Sequence, residues 1–296
     1  MAKTAWVFPG QGSQSIGMGA DLVDLPTAKT RLAIAEDILE WSVADVCQSE
    51  DDKVSNTLYT QPCLYVIESL LVDLLKEKGV EPDVLAGHSL GEYVALYAAG
   101  VFDFSAGLRL VKRRGELMSQ IANGVMAALM GFDRDELEAK IATVDGVVLA
   151  NDNNPGQVVI SGTPEAVDSI IGSVKSKRAV KLNVSGAFHS PLMAPAAREL
   201  QEVLAAVEFQ PAQVPVLSNV DPTPVTDAEA LKQRLSQQMT GAVRWREISL
   251  ALPEQGVEQV IEVGPGNVLT GLIKRTVKTL KLVNVGTLEQ LAAIES

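Results

Sequence analysis

Aromatic residues and cysteines are scarce in this sequence. Phenylalanine, tryptophan and tyrosine make up 4% of the 296 residues, so the core must be built mostly from aliphatic side chains. Hydrophobic residues reach 47%, and a supply rich in Val, Leu, Ile and Ala suits parallel strands buried between helices. The two cysteines, Cys47 and Cys63, have neither metal-ligand nor CxxC spacing. This pattern excludes a disulfide framework and favours a reducing compartment.

Basic residues are also in short supply. Lysine and arginine number 25 against 37 acidic residues, which gives a net charge of −12. A nucleic-acid-binding protein normally carries a basic face, so this class is disfavoured. The N-terminus lacks the layout of a signal peptide, and the longest apolar run, residues 64–75, is interrupted by Glu68 and Asp73. We therefore predict a cytoplasmic protein without membrane spans.

Two sets of strand and helix patterns indicate two domains. Residues 124–190 show the order β-α-β-β-α-β, which is the ferredoxin-like pattern. On both sides of this segment strands alternate with helices, as in a mainly parallel sheet covered on both faces. We predict an α/β protein with a larger α/β-hydrolase-like domain, residues 1–123 and 191–296. The small ferredoxin-like domain, residues 124–190, is inserted in it.

The sequence Gly-His-Ser-Leu-Gly at 87–91 is a GxSxG motif. A predicted strand at 84–86 precedes it and a helical pattern follows, which is the context that this motif requires. On such a tight turn the glycines leave room for the chain, and Ser89 is presented at the end of the strand. The backbone N–H of Leu90 can then face a developing oxyanion. We interpret Ser89 as a nucleophile rather than a residue of a chance glycine-rich turn.

Histidine occurs only twice, at His88 and His189. A serine hydroxyl needs a neighbouring base, and histidine has the suitable pKa. His88 directly precedes Ser89, so its side chain should point away from the hydroxyl, which leaves His189 as the base at the cleft between the domains. The acidic residues between Ser89 and His189 fall in no obvious motif; they include Asp133, Asp145 and Asp152. We therefore predict a Ser–His dyad whose imidazole is oriented by a backbone carbonyl.

A helix predicted over about residues 105–121 carries Arg114 in the middle of its apolar face. At about 100° per residue, its neighbours on that face are Gly107, Leu110, Val111, Met118 and Ile121. A charge at this place is costly unless it is paired. Two interpretations stay open: an internal salt bridge, or an arginine that grips a substrate carboxylate with two parallel hydrogen bonds. The second would make the acyl group a dicarboxylic half-thioester.

Two loops are further candidates. Residues 8–14, Phe-Pro-Gly-Gln-Gly-Ser-Gln, follow the first strand and match no phosphate-binding motif. They form either a plain tight turn or a loop whose backbone N–H at Gln11 donates to the oxyanion beside Ser89. Residues 151–156, which include Asn153, have the composition of a turn and are also candidates for lining the cleft. No metal ligands are predicted.

Nearly the whole chain resembles the malonyl-CoA:acyl-carrier-protein transacylase family, through six motifs that occur in the family's order. They are FPGQGSQ at 8–14, GHSLGEY at 87–93, KRRGELM at 112–118, NPGQVVISG at 154–162, GAFHSPLM at 186–193 and EVGPGNVLTGL at 262–272. The resemblance implies that Ser89 is malonylated, that His189 is its base and that Arg114 holds the malonyl carboxylate. It also implies that Gln11 and Leu90 supply the backbone donors of the oxyanion hole.

Three further implications concern the surroundings of the histidine. In the resembled family a backbone carbonyl just before a tryptophan orients the imidazole, and that position here is Arg244, preceding Trp245. Phe188, before His189, resembles the malonyl-type form of related acyltransferase domains. Candidates for lining the cleft are Met118, Asn153 and Phe188.

The reaction implied by the resemblance is ping-pong transfer of malonyl from malonyl-CoA to the phosphopantetheine thiol of acyl carrier protein, with no metal or cofactor. We expect a monomer that binds its acidic carrier protein through local basic residues; the candidates are Lys175, Lys177, Arg178, Lys181, Lys274, Arg275 and Lys278. The alternatives are a serine esterase or thioesterase on the same elbow, and a non-catalytic carrier-protein-binding module.

Overall fold

Strands and helices alternate along most of the chain in the computed structural model, which describes residues 2–121, 124–184 and 186–294. The strands are β1 (Lys3–Phe8), β2 (Val84–Gly87), β3 (Val125–Phe132), β4 (Val147–Asn154), β5 (Gln157–Gly162), β6 (Ser176–Lys181), β7 (Val216–Leu217), β8 (Val257–Val263) and β9 (Lys281–Val285). The helices are α1 (Pro26–Leu39), α2 (Val43–Gln48), α3 (Thr57–Glu77), α4 (Gly91–Ala98), α5 (Phe104–Gln120), α6 (Arg134–Ile141), α7 (Pro164–Ser173), α8 (Ala194–Ala205), α9 (Ala228–Gln238), α10 (Trp245–Glu254), α11 (Val268–Thr276) and α12 (Leu288–Ala292).

The larger sheet is parallel and has the strand order β7-β2-β1-β8-β9. Along β1 the side chains alternate between its faces: Trp6 and Phe8 join one apolar cluster, and Ala5 and Val7 join another. Both faces are therefore buried, as expected for parallel strands covered by helices. Because the strands are parallel, the carboxyl ends of β1, β2 and β8 meet at one edge, which brings the loops after these strands together.

The smaller sheet is antiparallel, with the order β4-β5-β3-β6. Its elements follow the sequence β3-α6-β4-β5-α7-β6, which confirms the ferredoxin-like pattern. One face packs against α6 and α7, and the other joins an apolar cluster that includes residues of α5 and α8. The domain boundaries at 123/124 and 190/191 stay predictions, and residue 123 lies outside the described residues.

Strand β4 of the smaller sheet is bonded to the segment between α9 and α10 in the larger part of the protein. The N–H of Val243 donates to the Ala150 carbonyl at 2.8 Å, and the N–H of Asp152 donates to the Val243 carbonyl at 2.9 Å. The Asp152 carboxylate also pairs with Arg134 of the small sheet region and Arg246 of α10, each at 2.8 Å. The smaller sheet therefore fixes the segment that links α9 to α10.

Helix α3 is the main core helix of the larger part. It has the length and, with a mean hydropathy of 1.2, the composition of a membrane span, yet 83% of that window is buried inside the protein. Its packing against α1, α4 and α5 accounts for this apolar composition. It begins at Thr57, because Asn56 caps it by accepting from the N–H of Leu58.

Other elements differ from the sequence prediction in detail. Helix α5 begins at Phe104, one residue before the predicted start, and is capped by Asp103, whose side chain accepts from the N–H of Ala106. Strand β9 and helices α2, α8, α10 and α12 were not predicted. Several of them are short or carry a proline, and such segments give a weak periodic signal.

Candidate active site

Ser89 lies on the tight turn between β2 and α4, with φ at 54°. This left-handed conformation is unusual for a residue other than glycine and is a mark of strained functional turns. The glycines of the motif explain how the turn is possible. A Cβ at Gly87 would collide with the backbone of Gly91, and one at Gly91 would collide with the Phe8 carbonyl. The turn therefore presents the Ser89 hydroxyl where β2 ends.

The side chain of Asn219 holds the backbone of this turn. Its side-chain oxygen accepts from the N–H of Ser89 at 2.8 Å, and its amide nitrogen donates to the Gly87 carbonyl at 2.6 Å. The N–H of Asn219 donates in turn to the buried Glu92 carboxyl of α4 at 3.2 Å. These bonds satisfy backbone groups that the turn would otherwise leave unpaired, so the strained geometry is held by its surroundings.

His189 reaches Ser89 from the other side of the cleft. Its Nε2 lies 2.8 Å from the Ser89 Oγ, and its Nδ1 lies 3.0 and 3.1 Å from the carbonyl oxygens of Gln238 and Gly241. Carbonyls only accept hydrogen bonds, so Nδ1 carries the proton and Nε2 offers its lone pair to the Ser89 hydroxyl. Burial, reinforced by the charge of Arg114, lowers the His189 pKa from 6.5 to about 3. The imidazole is thus neutral and able to accept a proton.

The prediction that Arg244 orients this imidazole needs correction. The carbonyl of Arg244 is not the orienting group, because it accepts from the N–H of Ile248 at 3.0 Å in the first turn of α10. The Arg244 guanidinium instead pairs with Glu247. Asp152 is occupied by Arg134 and Arg246 at the junction of the sheets. A backbone carbonyl does hold the imidazole, as predicted, but it comes from the end of α9 and the turn after it.

Arg114 is 1% exposed and faces the same hydroxyl. Its Nη2 donates to the Ser89 Oγ at 3.0 Å and to the Gln238 side chain at 3.2 Å, and its Nη1 donates to Gln61 at 2.6 Å. Among the residues that the structure describes, its Nε has no hydrogen-bond partner. Burial lowers the Arg114 pKa. Within the described residues none of its partners is a carboxylate, so the geometry disfavours the internal salt bridge.

The loop after β1 runs beside the elbow. A Cβ at Gly10 would collide with the His88 carbonyl, which shows how closely this loop approaches. Gln11 follows directly and its side chain donates to Thr57 at 3.0 Å. Within the described ranges, the backbone N–H of Gln11 and that of Leu90, which lies at the start of α4, have no protein acceptor. Both therefore stay available to an oxygen bound in the cavity.

A cavity of about 270 Å³ opens above Ser89 between the two sheets. It contains all three predicted lining residues, Met118, Asn153 and Phe188. The side-chain oxygen of Asn153 accepts from Nε2 of His88 at 2.9 Å, and the centroid of the His88 ring lies 5.6 Å from that of Trp245. The far wall is apolar and comes mainly from the small sheet and α11; it includes Met126, Ala128, Val159, Leu182, Val184, Val268 and Leu272. One end of the cavity is thus polar and charged, and the other is apolar.

Sequence reasoning missed the glutamines of the site. Gln61 lies on α3 and Gln238 ends α9, far from the elbow in the chain, and both contact Arg114. Neither lies in the segments that define the elbow, and glutamine is common on helices. Their one available signal is position: Gln61 precedes the proline of α3, and Gln238 precedes the turn that holds the imidazole.

This arrangement defines the class of protein. A hydroxyl on a strand–helix elbow, in contact with a neutral imidazole and beside two free backbone donors, is the geometry of enzymes that transfer acyl groups through a serine ester. The described residues contain no group of three histidine, cysteine or acidic side chains placed to hold a metal ion.

Comparison with known proteins specifies the family. Residues 5–291 match the family described as "Acyl transferase domain", and the chain belongs to it. It is 56% identical over 292 residues to the malonyl CoA-acyl carrier protein transacylase of Synechocystis sp.. The matched region covers 99% of this chain and 100% of that protein. The crystal structure of the Synechocystis malonyl-CoA:ACP transacylase matches with a TM-score of 0.97, at 55% identity over 99% of this chain and 100% of that chain.

A second similar structure contains a relative bound to its own partner protein. It is a malonyl-transacylase in complex with its type II PKS acyl-carrier protein, and it matches with a TM-score of 0.93 at 40% identity, over 98% of each chain.

Proposed function

We propose that this chain is an [acyl-carrier-protein] S-malonyltransferase, which moves malonyl from malonyl-CoA to the phosphopantetheine thiol of an acyl carrier protein. The transfer needs no metal or cofactor, and we expect it in the cytoplasm. End-to-end similarity to relatives that bear this name supports the proposal. The observation that carries it is the buried guanidinium of Arg114, 3.0 Å from the Ser89 hydroxyl.

In the first half-reaction the Ser89 Oγ attacks the thioester carbonyl while its proton passes to Nε2 of His189, 2.8 Å away. The carbonyl oxygen becomes an oxyanion, which the N–H groups of Gln11 and Leu90 stabilise. Collapse of this intermediate breaks the C–S bond, and His189 returns the proton to the departing CoA sulfur. The product is a malonyl ester of Ser89.

The second half-reaction runs the same steps in reverse order with a different thiol. The carrier's thiol gives its proton to His189 as its sulfur attacks the ester carbonyl. The oxyanion again lies against Gln11 and Leu90, and collapse breaks the C–O bond. The proton then passes from His189 to the Ser89 Oγ, which restores the free enzyme.

Arg114 gives the site its preference for malonyl. Malonyl carries a carboxylate two carbons from the reacting carbonyl, and Arg114 holds a charged donor against the reacting oxygen itself. A guanidinium can bind such a carboxylate with two parallel hydrogen bonds. A carboxylate in this buried place supplies the counter-ion that the described protein residues lack, whereas an acetyl group does not.

Two exposed basic clusters lie on elements that contain or lead to cavity-lining residues, and they suit an acidic carrier protein. Lys274 and Arg275 are exposed in the last turn of α11, whose first residues line the cavity. Lys177 and Arg178 are exposed on the edge strand β6, which leads directly to the cavity residues Leu182 and Val184. Lys181 is partly neutralised by Asp168 at 2.7 Å.

The test compares acyl donors in wild type and Arg114→Ala. Wild type should load malonyl from malonyl-CoA far faster than acetyl from acetyl-CoA. Methylmalonyl-CoA is measured beside them as a third donor. Arg114→Ala should lose about 2–5 kcal/mol of binding free energy for malonyl and little for acetyl. Arg109→Ala is the matched control, because Arg109 is exposed on the same helix.

Two outcomes would contradict the proposal. Hydrolysis of neutral esters that does not depend on Arg114 would favour the esterase or thioesterase. Carrier binding without any acyl group on Ser89 would favour the non-catalytic binding module.

A further inference from the structure

The acceptors around Arg114 are all neutral. Its guanidinium donates to the side-chain oxygens of Gln61 and Gln238 and to the Ser89 hydroxyl. The Tyr93 ring lies 5.5 Å from the guanidinium carbon, and burial raises the Tyr93 pKa to about 12, so this ring is neutral as well. Glu92 is a buried carboxyl whose charge acts on Arg114, but it contacts the Gln238 amide and not the guanidinium, and burial raises its pKa. The site therefore orients a cation without cancelling its charge.

The orientation of both glutamine amides is fixed by their other contacts. The Gln61 amide nitrogen donates to the sulfur of Met118 at 3.2 Å, which leaves its oxygen facing Arg114. The Gln238 amide nitrogen donates to the Ser89 carbonyl at 2.7 Å and to the Glu92 carboxyl at 2.8 Å. Its oxygen likewise faces the guanidinium. Both residues are 0–1% exposed, so water cannot replace these contacts.

A buried charge costs free energy unless an opposite charge compensates it. Amide oxygens recover part of this cost as hydrogen bonds, but they bring no net charge. The remaining cost is recovered when a substrate carboxylate binds, so the site attracts an acyl group that carries a carboxylate more strongly than a neutral acyl group. A protein carboxylate at either glutamine position would supply the same compensation in the free enzyme and remove this advantage.

We infer that Gln61 and Gln238 are specificity-determining residues, which hold the Arg114 fork towards Ser89 and, by being neutral, keep its charge available to the substrate. This inference rests on the carboxylate-binding role of Arg114 proposed above. Gln61→Glu is the direct test, because it changes the charge and keeps the shape. Gln238→Glu is less suitable, because it would set a second carboxyl against Glu92.

The experiment measures kcat and KM of Gln61→Glu for loading of Ser89 from malonyl-CoA and from acetyl-CoA. We expect kcat/KM for malonyl-CoA to fall about 10- to 100-fold, mostly through a higher KM, because the new ion pair competes with the substrate. For acetyl-CoA it should change little, so the malonyl-to-acetyl ratio should fall by nearly the same factor. The melting temperature should not decrease, because a buried cation gains a partner.

Two controls separate charge from shape. Gln233→Glu adds the same charge at an exposed position of α9 and should keep the wild-type ratio. Gln61→Leu removes the acceptor without adding charge and should lower the ratio less than Gln61→Glu does.

Two outcomes would overturn the inference: an unchanged malonyl-to-acetyl ratio in Gln61→Glu, including an equal loss for both donors, or a fall of the ratio in Gln61→Leu as large as in Gln61→Glu. The wild-type arm keeps the two proposals apart. If wild type does not load malonyl, the proposed function is wrong. If it does and the ratio of Gln61→Glu is unchanged, only this inference is wrong.

Discussion

The two sides of the catalytic cleft are assembled in different ways. The serine side is one continuous stretch, residues 87–92, whose turn is fixed by its own glycines and by Asn219. The histidine side joins segments far apart in the chain: His189 and the two carbonyls of Gln238 and Gly241. The small sheet adds a further constraint by pairing with Val243. The serine side therefore follows mainly from local geometry, with Asn219 as an added tertiary contact, whereas the histidine side is assembled by tertiary contacts.

This difference predicts how each side responds to substitution. A change near the histidine can move the imidazole while the elbow keeps its shape, and positioning errors of about 1 Å are costly in catalysis. Gln238 is where the sides join, because its backbone oxygen holds His189 and its side chain contacts the Ser89 carbonyl, Glu92 and Arg114.

Removal of the imidazole should have the largest effect. His189→Ala leaves Ser89 without a proton acceptor, and general acid–base catalysis typically contributes about 10²–10⁴-fold. We expect a loss of this size in kcat for malonyl loading with nearly unchanged KM, because the cavity and Arg114 stay in place. Pre-steady-state loading kinetics would measure it. A His189→Ala variant that loads malonyl at the wild-type rate would show that the base is another group.

A shift of the histidine side without loss of any functional atom should have an intermediate effect. In Gly241→Ala the new Cβ would lie 2.6 Å from Val220 Cγ1 and 3.0 Å from the Gln237 carbonyl, so Val220 or the turn must shift. We expect kcat to fall about 10-fold or more, with the elbow intact. Gly172→Ala is the control, because a Cβ at Gly172 meets nothing within 4 Å. Wild-type activity in Gly241→Ala would show that the carbonyl does not need this position.

The pH dependence should show the smallest effect. The pKa of His189 is lowered from 6.5 to about 3, mainly by burial, so the imidazole is already neutral near pH 6.5. We expect no acid limb centred at pH 6.5 in kcat/KM for malonyl-CoA. Stability should behave differently, because the unfolded chain takes up a proton below pH 6.5 and the native imidazole does not. The contribution of the neutral His189 to the free energy of unfolding is therefore complete above pH 6.5 and is lost as pH falls towards 3.

A pH–rate profile and a urea titration at several pH values would check both statements, with His189→Gln as the reference for stability. A kinetic midpoint at pH 6.5 would mean that the imidazole is exposed to water in the working enzyme.

Sequence reasoning succeeded where chemistry is encoded in neighbouring residues. The elbow at Ser89, the placement of Arg114 on an apolar helix face and the order of elements in the small sheet were all predicted correctly. The scarcity of histidine was enough to select His189 as the partner of Ser89. These features depend on a motif, a helical period and a count.

It failed where the outcome depends on how a turn lies in space. Arg244 is three residues from Gly241, but its carbonyl starts a helix and points along the helix axis, whereas that of Gly241 faces the imidazole. Gln61 and Gln238 could not be predicted because their role exists only once α3, α5 and α9 pack together. A sequence pattern does not record such contacts.

The central claim is that the acyl group passes through an ester on Ser89. The most direct measurement is intact-mass analysis after mixing with malonyl-CoA, followed by peptide mapping and addition of carrier protein. We predict a gain of one malonyl group on Ser89, its loss when the carrier is added, malonyl on the carrier, and no gain in Ser89→Ala. Malonyl on another residue, or transfer to the carrier by Ser89→Ala, would contradict the account.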